Sequence, residues 1–408
     1  MLQGTRVWFL VGLGLLAHYT ARAQIDPVQR RLIELGYNQP LQGRSPIAAY
    51  GFYYHNQPGF YSTNLTLRLA LSPIYVDGEL GVAQLLGPNT DMGFGLAGGG
   101  YADSYSEIRQ GVYETKESFW GDAVEASSSL YHLFNPKARI PLYLVLRASV
   151  RESFFRRDTD TAENFKVPDD LTTFHFRSGL RFGGKEPSLT EPLAMELSLW
   201  HEAQVRLNSE RYGFNEDREI KPQSHLLWVR ALAKYTTDPG EQSIELALTA
   251  GTSWNTDRFS AYRLGGLLPF TSEFPLSIPG YFYQELSSDQ FALLNAHYSL
   301  PLPVGNKNWR FELVGSTGFV DYLAGLEQPG HWHTGAGSGI TYISPSGSWI
   351  ATLLYAHGFD AMRSHGRGAD QISFVFQYDF EAKALRRTRF FVPESSPYRS
   401  PGVERMIR

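Results

Sequence analysis

The 408-residue chain contains no cysteine, so neither a disulfide framework nor thiolate chemistry is open to it. It also has no apolar run approaching the roughly 20 residues that a membrane-crossing helix needs. The clearest one, residues 7–16, reaches only about half that length. Mean hydropathy is -0.27, and the formal net charge of -4 gives no reason to expect nucleic acid as a partner. Aromatic residues, by contrast, make up 14% of the chain, and glycine occurs 39 times. Such modest hydropathy suits a membrane protein only if every second residue faces lipid.

The N-terminus decides the compartment. Arg6 is the lone early positive charge, the apolar run follows, and Ala21-Arg22-Ala23 stands ahead of Gln24. These are the charged, apolar and small-residue regions of a secretory signal, which puts residues 1–23 in a signal peptide. A buried N-terminal helix is the competing reading, and Arg22 with its small neighbours favours cleavage. Residues 24–44 show a short helix-like pattern in Val28, Leu32, Ile33 and Leu35. They are expected to form a short periplasmic segment.

From Ser45 the period changes to two. Leu65, Leu67, Leu69 and Leu71 alternate with Asn64, Thr66, Arg68 and Ala70; Leu193, Met195, Leu197 and Leu199 alternate with Ala194, Glu196, Ser198 and Trp200. A soluble β-sandwich would alternate too. Three features oppose it. The strands run to about 10 residues or more, the length a tilted strand needs to cross a bilayer. Charges recur in mid-strand on the polar face, as in a water-facing lumen. Short turns (Asp238-Pro239-Gly240, Pro345-Ser346-Gly347) alternate with long polar excursions near 103–122, 154–169 and 207–222, the habit of outer-membrane barrels. The expected fold is therefore all-β: a transmembrane antiparallel barrel over residues 45–380. Sixteen candidate strands satisfy the even count that closure in lipid requires; twelve, fourteen and eighteen would satisfy it as well.

The last strand places Ile372, Phe374, Phe376, Tyr378 and Phe380 on one face. This pattern resembles the closing-strand signal by which outer-membrane barrels are recognised for insertion. That signal usually ends the chain, whereas here residues 381–408 follow as an expected extended periplasmic tail.

A second pattern is more specific. Arg263-Leu264-Gly265-Gly266 closes a strand, a loop leads to Ile278-Pro279-Gly280-Tyr281, and residues 294–302 return as a strand. Four candidate strands then remain, starting near Trp309, His333, Trp349 and Asp370. This arrangement resembles the barrels of the BamA, TamA and FhaC-like assembly and secretion superfamily. In that superfamily a loop with an Arg-bearing tip folds into the lumen and reaches acids on the wall. The resemblance implies that Ile278, Pro279, Gly280 and Tyr281 form a tip inside the lumen and that Asn295, His297 and Asp321 form the contacting wall. Two departures stand out: Pro279 occupies the Arg position and His297 that of a wall Glu. An ordinary surface loop with a Pro-Gly turn is the alternative. Only about 20 residues separate the cleavage site from the first candidate strand, so the family's periplasmic POTRA repeats do not fit there. The resemblance thus implies a barrel-only member.

Other chemistry finds little support. His331 and His333 have a spacing that can ligate a metal, but the nearest carboxylate in sequence, Glu327, lies across a Pro-Gly turn. Around Ser338, Ala336 and Ile340 stand where a hydrolase elbow needs glycine. Glu196, Glu245 and Glu312 read as lumen groups facing Arg177, Arg181 or Arg230. No catalytic, cofactor or metal site is expected, and the chain is not read as an enzyme. The expected partners are outer-membrane lipid and a periplasmic or outer-membrane protein. The leading expectation is insertion or transport of protein, or of lipid, at the outer membrane, with a weakly paired seam between first and last strands near Ala49 and Ser373. A passive solute channel and an anchor for an envelope complex are the alternatives.

Overall fold

Alternating side chains leave one face of each strand apolar, and in a sheet of this size the two faces must find two different environments. The computed structural model describes residues 28–138, 140–184, 193–237, 242–268, 274–303 and 308–382. The expected signal peptide, the tail beyond Ala382 and the Asp238-Pro239-Gly240 turn lie outside them. Sixteen antiparallel strands close into one barrel. The first eight are β1 Arg30–Pro40, β2 Ala48–Pro58, β3 Leu65–Leu71, β4 Tyr75–Val82, β5 Thr90–Gly99, β6 Phe119–Leu133, β7 Leu142–Arg157 and β8 Leu171–Gly184. The second eight are β9 Leu193–Arg206, β10 Gln223–Thr236, β11 Ser243–Trp254, β12 Leu286–Pro301, β13 Trp309–Tyr322, β14 Trp332–Ile343, β15 Trp349–Arg363 and β16 Gly366–Asp379.

The polarity is inverted relative to a water-soluble core. Leu96, Leu197 and Leu353 point outward with more than half their surface exposed, whereas Glu34, Arg181 and Glu202 are almost wholly buried inside. Desolvated charges need partners, and the lumen supplies them from neighbouring strands. Arg68 meets Glu79 at 2.9 Å, Glu125 holds both Arg147 and Arg151 at 3.2 Å, and Arg177 meets Glu202 at 2.6 Å. An apolar exterior around a charged interior suits hydrocarbon outside and water inside.

The strand number agrees with the sequence expectation, but the first strand lies elsewhere. Residues 30–40, expected as a helix-like periplasmic segment, form β1. Ile33, Leu35 and Tyr37 supply its outward alternation. Leu32 faces the lumen instead, packed among Tyr50, Phe52 and Leu268, and this inward apolar residue made the segment look helical. Arg263 does not close a barrel strand either, because Tyr262–Leu264 is a separate short strand paired only with β12.

The seam also differs from expectation. β1 and β16 pair in continuous register from Leu32 opposite Asp379 to Pro40 opposite Gln371, nine residue pairs, as many as join β1 to β2. Ala49 lies in β2 opposite Tyr37, and Ser373 faces Asn38. Phe374, Phe376, Tyr378 and Phe380 line the outer face at this seam, with Phe376 6.1 Å from Trp349 and Tyr378 4.8 Å from Phe380 between ring centres.

Both described chain ends lie at one end of the barrel, with turns such as 59–64 and 344–348, although the short turns 72–74 and 364–365 lie opposite. The long connections gather at the other, where three of them (residues 100–118, 158–170 and 207–222) fold with Phe259 over an aromatic cluster of Tyr105, Phe119, Phe165 and Tyr212. Glu107 sits beneath it, 3.1 Å from Arg258 and 3.5 Å from Arg218, and accepts a hydrogen bond from the Tyr105 hydroxyl. Burial alone would raise the Glu107 carboxyl, but Arg258 and Arg218 outweigh it and hold it below its ordinary value. A depressed acid stabilises the fold above its unfolded pKa and loses that contribution as pH falls through the folded one. Amide protection across residues 105–118 is therefore expected to be constant from pH 7 to 5 and to fall only below about 4.3. Loss already near pH 6, or none at pH 3, would contradict this in hydrogen-exchange measurements.

Candidate functional site: the infolded loop and its seat

The connection between β11 and β12 does not join the outer cap throughout but turns into the lumen. Two glycines make the turn. Gly265 and Gly266 both have positive φ, and a Cβ on either would strike the returning limb, at Phe282 O (2.4 Å) and Tyr283 Cα (2.7 Å). The two limbs thus cross in backbone contact. Gly265 N–H also donates to Leu276 O at 2.9 Å, closing the base. Arg263 fixes the outer rim by donating to Gln284 O at 3.0 Å and to Ser106 O of the cap at 2.9 Å.

The loop spans the lumen and touches the wall on several sides. Phe274 packs edge-on against the parallel indoles of Trp200 and Trp228. The tip, Ile278 to Tyr281, is fully buried at Ile278 and Tyr281 and rests on bare backbone of β14 and β15. A Cβ at Gly335 would lie 2.1 Å from Pro279 O, and one at Gly358 would lie 3.0 Å from it; a Cβ on Gly280, where φ is +85°, would lie 1.9 Å from Gly358 N. The seat is a glycine-walled niche shaped to a Pro-Gly turn.

Polar contacts fix the tip in that niche. The Tyr281 hydroxyl is 2.8 Å from His333 Nδ1, and the other imidazole nitrogen meets the Tyr322 hydroxyl. Burial pushes the Tyr281 phenol far above its usual range, so it stays neutral and able to donate. Glu285 at the loop's exit accepts from Phe282 N–H at 2.7 Å and pairs with Arg363 at 2.9 Å, both side chains being essentially inaccessible. Burial raises the Glu285 carboxyl, and Arg363 offsets this only in part. The Arg363 guanidinium also lies 3.6 Å from the Phe282 ring centre and 3.4 Å from Gly280 O.

The structure treats the expected wall residues differently. Asn295 faces the loop, with Ser316 Oγ lying 2.6 Å from Asn295 Oδ1 and 3.0 Å from Ser277 O. His297 lies nearer the end of the barrel that holds the described chain ends, where it pairs with Glu312 at 2.9 Å. Asp321 is exposed, and its backbone carbonyl accepts a hydrogen bond from the Ser288 hydroxyl. Sequence reading did not single out Glu285, Arg363 or Tyr322, and it considered His333 only as a metal ligand. His331 and His333 do not converge: His331 bonds Val320 O while His333 is enclosed by tyrosines. No group of three or more metal-binding side chains occurs among the described residues.

Beneath the cap, loop and wall enclose a chamber lined by Arg151, Arg177, Glu202, Trp228, Thr249 and Phe274 among others.

No protein-family model and no curated protein matches the chain. Solved structures do match. CdiB from Acinetobacter baumannii superposes with a TM-score of 0.58 at 11% identity, over 86% of this chain and 60% of that one. CdiB from Escherichia coli gives 0.55 at 12%, over 85% and 63%, and BamA from Haemophilus ducreyi lacking POTRA domains 1–3 gives 0.54 at 10%, over 86% and 71%. The chain therefore spans less than two thirds of the length of either CdiB. At these identities the likeness is one of fold: a barrel of the BamA and CdiB type.

Proposed function

We propose that this chain is an outer-membrane barrel that moves polypeptide through its lumen together with partner subunits, and that the infolded loop closes the lumen between passages. The seat of the loop carries the reading. It is extensive enough to occlude the barrel, yet it is built from discrete contacts at a tip rather than from strand pairing, so it can detach without unfolding the wall. The likeness of fold to CdiB and BamA supports the same direction. Nine paired residues at the seam favour a route through the lumen over one that leaves between first and last strands. A loop that crosses the lumen does not suit a steady passive channel.

The test places a photo-cross-linking residue at Thr249, in the chamber wall, in barrels residing in native outer membrane. Discrete adducts with a second polypeptide are expected. Adducts confined to the chain itself, with a steady open conductance of the purified barrel in planar bilayers, would overturn the reading.

A further inference from the structure

The chamber beneath the cap is lined unevenly in charge. Five guanidiniums line it, those of Arg151, Arg177, Arg206, Arg258 and Arg263, against two carboxylates, Asp103 and Glu202. The other acids that hold these arginines sit behind the lining. Glu125 meets Arg151 at 3.2 Å, Glu107 meets Arg258 at 3.1 Å and Asp257 holds Arg206, all three acids being buried. The two acids in front are already engaged. Asp103 accepts from Arg151 at 2.8 Å and from the Ser153 hydroxyl, and Glu202 accepts from Arg177 at 2.8 Å and Gln204 at 2.9 Å.

Arg263 stands apart from the other four. Its donors reach two backbone carbonyls, Gln284 O and Ser106 O, and its guanidinium lies 5.2 Å from the Tyr105 ring centre. The nearby Glu107 is taken by Arg258 and Arg218, and none of the described carboxylates forms an ion pair with Arg263. A guanidinium carries five N–H donors, so an acid behind it leaves hydrogens for the chamber. Cations in front of their acids, within low-dielectric walls, focus a positive field on the space between them. Carboxylates match the planar fork of arginine two oxygens at a time. Between the cations lie apolar side chains, Trp228, Phe259, Phe274 and Phe291. An acidic carbohydrate brings no apolar side chains to such surfaces, whereas a polypeptide does.

We infer that the chamber is a binding site for acidic polypeptide, with Asp and Glu carboxylates on the arginines and apolar side chains of the same segment on the aromatic residues. Arg263 is the cation with most to gain from such an occupant. The inference rests on the proposed passage of polypeptide and adds which segments the chamber selects.

The test offers three octapeptides, alternating Glu-Ser, Gln-Ser and Lys-Ser, with oligogalacturonate as an acidic carbohydrate. The barrel carries a photo-cross-linking residue at Thr249 and is used in outer-membrane vesicles. Each probe is given to the barrel with its native loop and to Gly280→Val, whose tip meets Gly358 backbone in the seat. Capture of the Glu peptide is expected to exceed that of the Gln peptide by about tenfold at low salt and to fall as salt is added. Capture of the Lys peptide should stay at background. Arg263→Gln should abolish the advantage of the Glu peptide and Arg263→Lys should keep most of it, which separates the charge from the rim hydrogen bonds that both substitutions disturb. Equal capture of the three peptides, capture of none in either barrel, or equal loss in R263Q and R263K would overturn the site. So would capture of oligogalacturonate in place of the Glu peptide. Equal capture of all three peptides would still leave the passage of polypeptide standing, since that reading fails only on its own adducts and conductance.

Discussion

Arg363→Ala is expected to cost about 3–5 kcal/mol, the range for removing one partner of a buried ion pair. Arg363 meets Glu285 at 2.9 Å with neither side chain reaching solvent, and its guanidinium also covers the Phe282 ring and approaches Gly280 O. Its removal strands a carboxylate whose protonation burial already favours. The sign of the pH dependence follows from that. An acid whose folded pKa is raised stabilises the fold below its unfolded value, and that stability is lost as pH rises through the folded value. Without Arg363 the Glu285 carboxyl rises further, so the loss in R363A should grow from pH 5 to pH 8. Paired replacement, R363M with E285L, should recover most of the stability because no lone charge remains. Urea unfolding in liposomes at the two pH values measures both. A pH-independent loss in R363A, or a double variant no better than the single, would show that Arg363 acts by packing alone.

This pair also shows where sequence reading stops. Wherever alternation was strict, the strands were legible, as in β3, β9 and β16, because outward leucines and phenylalanines leave no other register. The loop tip was legible too, since Pro279-Gly280-Tyr281 follows the turn at Gly265-Gly266 in the manner of a known superfamily. Its anchor was not. The resemblance implies a cation on the loop and acids on the wall, and both positions were seen to be replaced. The structure supplies the same attraction with the charges exchanged, Glu285 on the loop and Arg363 on the wall. Arg363 was hidden by a register shift between Gly358 and Met362 in β15. Before it Leu354, Ala356 and Gly358 face inward; after it Ala361 and Arg363 do. A bulge moves side chains to the opposite face, so parity counted from the strand start places Arg363 outside. Asp321 failed for the opposite reason. Val320 and Tyr322 face inward in an unbroken strand, which leaves the residue between them on the outer face. There the alternation was the better guide than the motif. β1 was obscured because one inward leucine, Leu32, serves the loop rather than the lipid.

Gly280→Val should produce the largest functional change, an occluded barrel becoming a conducting one. Two independent obstacles meet at this residue. Its φ of +85° costs an L-residue roughly 1–2 kcal/mol, and its Cβ would sit 1.9 Å from the Gly358 nitrogen, in the backbone of barrel strand β15. The second obstacle has no local remedy, since β15 can retreat only by breaking its pairing with β14 or β16. The loop can move instead, and the cheaper movement wins. The loss of stability is then limited to what the seated tip contributes, while the lumen is cleared outright. A sixteen-stranded wall without its plug is wide enough for an aqueous channel. Gly59→Val separates the two obstacles: Gly59 also has positive φ, at +71°, but nothing lies within 4 Å of its Cβ position in a turn at the other end of the barrel. It should lose the conformational cost alone and remain closed in planar bilayers. G280V should pass steady current under the same conditions, with Tyr281 exposed to solvent-borne modification. Two closed variants would mean that the tip can find another seat, and two open ones would mean that general destabilisation, rather than the niche at Gly335 and Gly358, controls the lumen.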